Sequence, residues 1–267
     1  MDEKLEIKQV KPDTLDITIV MPALNEENNI VSAVQNSLKA LDEFNMTGEI
    51  IVVNDGSTDK TEQLVKSLMQ SENKVRLINH DSPQGMGGSF WKGVDNAEGG
   101  AIVLLPGDDE NDPWEIFRYF RLLEHVDIII PFVFNKEVRS LFRNALSVIY
   151  RFIINSTFGG NFNYTNGTIL YRRSILKKLH FRSMGFFFQT DILVRLVKKG
   201  YLFAEVPYRL GLRKKGISRA VSFPSLFNVV KGYLKLVRDF YFAKNIKKDE
   251  AFSADSSTAL RKNKKEK

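Results

Sequence analysis

The chain contains no cysteine, an absence that excludes a disulfide scaffold, a Cys-ligated zinc site, an iron–sulfur centre and a thiol nucleophile. Histidine is nearly as scarce: His80, His125 and His180 stand far apart, without metal-ligand spacing, and read as packing or surface residues. No apolar run approaches the roughly 18 to 20 residues that span a bilayer, and Met1-Asp2-Glu3-Lys4 is too acidic to open a secretory leader. A cytoplasmic location is therefore expected, peripheral to a membrane at most. With 17 Gly and 8 Pro in 267 residues, collagen and low-complexity classes are excluded as well. What remains is a globular composition, 43% hydrophobic and 27% charged, in a length that suits one large domain with small appendages.

Acidic charge is scarce in one region only. From Pro207 to the end there are 16 Lys and Arg against 5 Asp and Glu, whereas the body before it is mildly acidic. A basic end suggests a phosphate-bearing partner such as an anionic lipid, a phosphorylated substrate or nucleic acid. No helix-turn-helix, RRM or zinc-finger signature accompanies the basic residues, so no nucleic-acid partner is expected. The last stretch, Lys244 to Lys267, is polar and aperiodic and reads as a solvated tail.

Short apolar runs recur through the body at 17–21, 49–53, 75–78, 101–105 and 127–130, alternating with amphipathic stretches such as 27–44. Near-continuous apolar strands alternating with helices predict an α/β fold, a mostly parallel sheet covered on both faces. Ligands in such sheets bind beyond the carboxyl ends of the strands. Past Asn135 the pattern predicts a helix to about Thr157, a Gly/Asn-rich loop at 159–166, a short strand at 168–171, a helix at 188–199 and a strand at 203–206.

Three segments at strand ends carry chemistry. Asn54-Asp55-Gly56-Ser57-Thr58-Asp59 follows the second run. Ser57 or Thr58 can cap the next helix there, while Asp55 can accept hydrogen bonds from a base or ribose. Gly85-Met86-Gly87-Gly88 is not a dinucleotide fingerprint, because Phe90 stands where G-x-G-x-x-G needs its third glycine; these glycines suit close packing of a helix start. Pro106-Gly107-Asp108-Asp109-Glu110-Asn111-Asp112-Pro113 crowds four acids directly after a strand. Mutual repulsion there calls for a compensating divalent cation, Mg²⁺ or Mn²⁺, although Asp112 before Pro113 reads as a helix cap.

In order, Met21-Pro22-Ala23-Leu24-Asn25-Glu26, Val53-Asn54-Asp55-Gly56-Ser57, Gly85-Met86-Gly87 and the acidic strand end resemble the family 2 nucleotide-sugar glycosyltransferases. Their GT-A fold is a Rossmann-like, mostly parallel central sheet with helices on both faces. Asn166-Gly167-Thr168-Ile169-Leu170-Tyr171-Arg172-Arg173, Gly185-Phe186-Phe187-Phe188-Gln189-Thr190-Asp191, Ala204-Glu205-Val206-Pro207 and Arg213-Lys214-Lys215-Gly216-Ile217-Ser218-Arg219 narrow the resemblance to dolichyl- and polyprenyl-phosphate sugar synthases. The likeness covers about residues 15 to 220, with residues 1–14 as an extension.

The resemblance implies roles residue by residue. Pro22, Ala23, Leu24, Glu26, Asp55 and Gly85 would hold the UDP- or GDP-linked donor. Asp108 would fall on the second Asp of the family's Asp-x-Asp and Glu110 on the Gln that follows it, so both would ligate the metal. Pro106 replaces the first Asp and leaves Asp109 as a substitute. Arg143 and Ser147, four apart on one helix face, would hold an acceptor phosphate together with Arg219. Arg213 would neutralise the leaving diphosphate. The implied reaction is an inverting transfer to a polyprenyl phosphate; Asp191 is the base candidate if the acceptor is a hydroxyl, or else a helix-start acid facing the macrodipole. Extension of a surface glycan and non-catalytic nucleotide-sugar binding stay open. Residues 222–243 interleave aromatic, apolar and basic side chains, as expected of a helix in an anionic membrane interface or one packed against the body or a dimer partner.

Overall fold

The computed structural model describes residues 15–135, 137, 140–209 and 223–242. Seven strands form one sheet: β1 (Leu15–Ala23), β2 (Gly48–Asn54), β3 (Val75–Asn79), β4 (Gly99–Leu104), β5 (Ile128–Val133), β6 (Leu170–Arg172) and β7 (Phe203–Tyr208). Their order is β3-β2-β1-β4-β6-β5-β7. All pairings are parallel except those of β6, which runs antiparallel to both β4 and β5. Two reversals cancel, so β5 points the same way as β4, and its carboxyl end reaches the same edge of the sheet.

Helices α1 (Ile30–Glu43), α2 (Thr61–Ser71) and the short α4 (Pro113–Phe117) cover one face. Helices α3 (Gly85–Asn96), α5 (Leu141–Phe158), α6 (Arg173–Lys177), α7 (Phe188–Lys198) and α8 (Phe223–Tyr241) contribute to the other. Strand side chains alternate between the two cores. Ile17, Ile19 and Met21 of β1 pack with Val34 and Leu41 of α1, while Val20 packs with Phe90, Trp91 and Val94 of α3. Both faces are covered, which is why the strands read as unbroken apolar runs. The glycine spacing of α3 has a packing cause: a Cβ at Gly93 would lie 2.4 Å from Val20 Cγ1, so only glycine lets this helix approach β1.

The amino ends of the strands are closed by a polar knot. Buried Glu49 accepts from Thr18 Oγ1 at 2.8 Å, from Glu98 N at 2.7 Å and from Arg76 Nη1 at 2.7 Å. Its charge is paired and bonded, as burial requires. Functional chemistry is thereby left to the opposite edge.

Helix α8 packs Val229, Tyr233, Leu236 and Phe240 against the body, with Tyr233 Oη and Thr157 Oγ1 2.8 Å apart. Its other face, with Val230, Lys231, Leu234, Lys235 and Arg238, is exposed. Of the expectations for this stretch, packing against the body is the one observed. Among the described residues no helix is long and apolar enough to cross a membrane.

Candidate active site

The sheet ladder continues past the ends of three neighbouring strands. Leu105 N donates to Val20 O at 3.0 Å, Gly107 N to Pro22 O at 2.9 Å and Asp55 N to Ala23 O at 2.8 Å. These bonds bring Pro22–Leu24, Asp55–Gly56 and Pro106–Asp108 to one carboxyl edge. The loops after β1 and β2 are then clasped together. Asn25, with φ of 57°, donates from its N–H to Ser57 Oγ at 3.0 Å and accepts from Thr58 N at 2.8 Å. Glu26 N donates to Thr61 Oγ1 at 2.8 Å, Glu27 N to Asp59 Oδ2 at 3.0 Å, and Lys60 N to Glu27 Oε2 at 3.1 Å. Ser57 and Thr58 serve this clasp rather than capping α2, whose start is held instead by Asp59 accepting from Thr61 N at 2.9 Å. Desolvation pushes the Asp59 carboxyl up, but the hydrogen bonds from Thr61 and Glu27 outweigh it and hold its pKa below the ordinary value.

Asp55 is buried, and both of its oxygens are engaged. Oδ1 accepts from Gln84 N at 2.8 Å and lies 2.7 Å from His80 Nδ1, while Oδ2 accepts from Gly85 N at 2.8 Å. The carboxylate thus fixes the first turn of α3 and satisfies N–H groups that a helix start leaves orphaned. Gly85 has φ of 79°, a conformation that side-chain-bearing residues rarely adopt. Pro22, Ala23, Leu24, Glu26, Asp55 and Gly85 therefore belong to one connected surface. Glu26 also accepts from Asn29 Nδ2 at 2.8 Å, at the start of α1.

The acidic loop divides its carboxylates among different tasks. Asp112 caps α4, accepting from Trp114 N at 2.9 Å with Pro113 in the first turn. Asp109, with φ of 56°, is turned to α1 and accepts from Asn36 Nδ2 at 2.9 Å, which commits the residue offered as a substitute ligand. Asp108 Oδ1 accepts from Glu110 N at 3.2 Å, so these two half-buried acids share one turn at the strand end. Asn111 accepts from Tyr208 Oη at 3.0 Å, tying the loop to the end of β7. Among the described residues no three His, Asp or Glu side chains form a self-sufficient metal cluster.

Across the edge, α5 begins at Ser140, whose Oγ accepts from Arg143 N at 3.3 Å. Between its inward face and the carboxyl end of β5 lies a cavity of about 250 Å³, lined by Phe132, Phe134, Asn144, Ser147, Arg151 and Tyr164 among others. Ser147 lies in the cavity wall; Arg143 is exposed one turn earlier.

Gln189 and Thr190, at the start of α7, bind the 159–169 loop and α5, while Asp191 pairs within α7. Gln189 Oε1 accepts from Gly167 N at 2.7 Å, and Thr190 Oγ1 lies 2.7 Å from Tyr150 Oη of α5, where burial pushes the phenol up to about 12. Asp191 is 2% exposed and accepts from Arg195 Nε at 2.9 Å; Arg195 Nη2 reaches Asp239 of α8 at 2.8 Å. Desolvation raises the Asp191 pKa against the lowering influence of Arg195. Arg213 and Arg219 lie outside the described residues.

A family model for glycosyl transferase family 2 matches residues 18–180. The chain belongs to glycosyl transferase family 2. Two undecaprenyl-phosphate 4-deoxy-4-formamido-L-arabinose transferases are similar to it. That of Salmonella choleraesuis is 25% identical over 219 residues, 80% of this chain and 65% of the relative; that of Photorhabdus laumondii is 29% identical over 166 residues, 61% and 51%. An uncharacterized glycosyltransferase of Synechocystis is 33% identical over 100 residues, 38% of this chain and 31% of the relative. The chain thus spans about a third to two thirds of the length of these relatives. Among solved structures, glucosyl-3-phosphoglycerate synthase from Mycobacterium tuberculosis, in complex with Mn²⁺, UDP-glucose and phosphoglyceric acid, superposes with a TM-score of 0.62 at 19% identity. It covers 84% of this chain and 80% of its own. That likeness concerns the fold, which is GT-A.

In the family 2 domain several residues of the edge escaped notice in the sequence. Glu27 and Thr61 join the clasp through contacts between distant loops, to Lys60 and Asp59 and to Glu26, and leave no local signal. Arg151 could have been found, since it extends the Arg143/Ser147 spacing by another four residues.

Proposed function

We propose that the family 2 domain transfers a sugar, with inversion, from a UDP- or GDP-linked donor to a polyprenyl phosphate. One juxtaposition carries this reading: the clasped loops, Asp55–Gly85 and the Asp108–Glu110 turn stand at the same carboxyl edge as the cavity walled by Ser147 and Arg151. Two sites, one for a nucleotide diphosphate and one for a second anion, then meet where doubly wound sheets bind ligands.

The donor's base and ribose lie against Pro22–Glu26, with the Asp55–Gly85 contact holding that wall in shape. Asp108 and Glu110 would hold a divalent cation, because Mg²⁺ and Mn²⁺ sites at phosphates use only one or two protein carboxylates. Such an ion would supply positive charge to stabilise the departing diphosphate. Arg143, Ser147 and Arg151 orient the acceptor phosphate. One of its oxygens attacks the anomeric carbon as the bond from that carbon to the diphosphate breaks, and the nucleoside diphosphate leaves with the electron pair. Arg213 and Arg219 remain proposals for phosphate contacts.

An ionised phosphate nucleophile needs no strong base. That agrees with the placement of Asp191, whose paired and buried carboxylate suits a positioning role at the seam of α7 and α8 better than proton abstraction. The test is incubation with radiolabelled UDP- and GDP-sugars, Mg²⁺ or Mn²⁺ and polyprenyl phosphate, followed by organic extraction. Label entering the organic phase with one donor is the expected result. Label in no lipid product with any donor would overturn the reading.

A further inference from the structure

Helix α5 packs Tyr150, Ile154 and Phe158 on the core but carries most of its apolar side chains on the opposite side. Only Ile154 of its 18 residues is buried, and its polar side chains Asn144, Ser147, Arg151 and Asn155 are turned towards the body. Its other large apolar side chains face outward: Leu141 is 88% exposed, Phe142 68% and Phe152 70%, with Leu146, Ile149 and Ile153 beside them. The helical period places all six on one side, a face that holds no charged residue. Soluble surfaces rarely leave a continuous apolar patch of this kind without an occupant.

The patch does not stop at α5. Thr157 meets Tyr233 and Tyr241 of α8, Tyr241 Oη donating to Thr157 O, so the exposed edge of α8 that carries Val230, Leu234 and Tyr241 adjoins the outward face of α5. Lys231, Lys235 and Arg238 flank that edge, also exposed.

We propose that the outward face of α5, continued by α8, seats the protein on an anionic bilayer surface. This deepens the polyprenyl-phosphate reading and rests on it. Charge decides among the occupants. A second copy would bring the same face to itself in a two-fold pair and set the basic flank of α8 against its own image, with no acid on α5 to neutralise it. The last stretch of the chain, 243–267, holds only Ile246, Phe252 and Leu260 as large apolar side chains among more than ten Lys, Arg, Asp and Glu, and suits solvent better than an apolar patch. An anionic lipid surface complements both the apolar face and the basic flank. The geometry also serves the reaction. A helix with its side chains is about 10–12 Å across, so seating the outer face at the hydrocarbon boundary leaves the Ser147–Arg151 side within the headgroup layer. A lipid phosphate could then reach the cavity while its tail stays in the membrane.

The test is flotation of the full chain with vesicles of phosphatidylcholine, with and without phosphatidylglycerol. The wild type should float with anionic vesicles and detach partly as salt rises. A Phe142→Asp/Ile149→Asp/Phe152→Asp variant should lose about a hundredfold in partition coefficient, with an unchanged circular dichroism spectrum and melting curve because these side chains already face water. A Lys231→Glu/Lys235→Glu/Arg238→Glu variant should bind anionic vesicles no better than neutral ones. Transfer to a short-chain, water-soluble polyprenyl phosphate should survive the α5 substitutions. A wild type that ignores both vesicle types, a triple α5 variant that floats like the wild type, or a dimer in sedimentation velocity that those substitutions dissociate would each overturn the docking proposal. A wild type that floats yet transfers sugar to no polyprenyl phosphate would sustain the docking and sink the reading of function.

Discussion

Asp55 and Asp108 sit at equivalent places, each just past the end of a parallel strand, yet their surroundings give them different work. Asp55 has both oxygens occupied by the first turn of α3 and by His80. Asp55→Ala would take their carboxylate partner from the Gln84 and Gly85 N–H groups and should cost about 0.5–2 kcal/mol of stability, as loss of a helix cap does, along with weaker donor affinity. Chemical denaturation and calorimetry with the donor nucleotide would read the two effects separately. Asp108 accepts from Glu110 N within the turn that follows β4 and is half-buried, so an isosteric amide can keep that contact. Asp108→Asn should therefore leave the melting curve near wild type while turnover falls by about a hundredfold or more, with the apparent Mn²⁺ requirement shifted upward. The contrast shows what was legible at this scale. Acid-rich strand ends announce themselves in the sequence, and Asp112 before Pro113 reads there as the cap that it is, but the turn of Asp109 towards α1 does not, because its partner Asn36 lies far away in the chain.

Element boundaries followed the hydrophobic period closely. The strands at 17–21 and 49–53, the helix ending near Thr157 and the helix at 188–199 all lie within β1, β2, α5 and α7 or a few residues of their ends. The antiparallel insertion of β6 between β4 and β5 was not legible, since a three-residue strand carries no signal of its partners. Nor was the outward apolar face of α5, because periodicity reports an apolar side without saying which way it points. Two predictions belong here. Arg143→Ala should raise the acceptor KM about tenfold while donor affinity in calorimetry stays unchanged, as loss of one charge-assisted phosphate contact implies. The second concerns the bridge from α7 to α8. Desolvation raises the Asp239 carboxyl, but the bonds and charges of Arg195 and Arg238 outweigh it and bring its pKa below 3.8. A lowered folded pKa means that Asp239 stabilises the docked α8 above the unfolded value, and that this contribution is lost as pH falls through the folded one. Asp239→Asn should thus be less stable at neutral pH and show a flatter stability profile below about pH 4, measured by urea midpoints across pH.

At the scale of the whole molecule, the amino ends of the strands carry the Glu49 knot and the carboxyl ends carry everything with a chemical assignment. Order of motifs along the chain made the family legible, because each loop that clusters at the edge follows a strand and must lie there in any parallel sheet. The cavity beside α5 was less so, as it depends on how a long helix after β5 turns its polar side inward. The central claim is that this edge joins a nucleotide-sugar site to a site for an ionised lipid phosphate, with no protein base between them. A single competition measures it: one labelled donor, offered together with polyprenyl phosphate, the matching unphosphorylated polyprenol and a soluble oligosaccharide. The account predicts label on the polyprenyl phosphate alone; label on the polyprenol or on the oligosaccharide would contradict it.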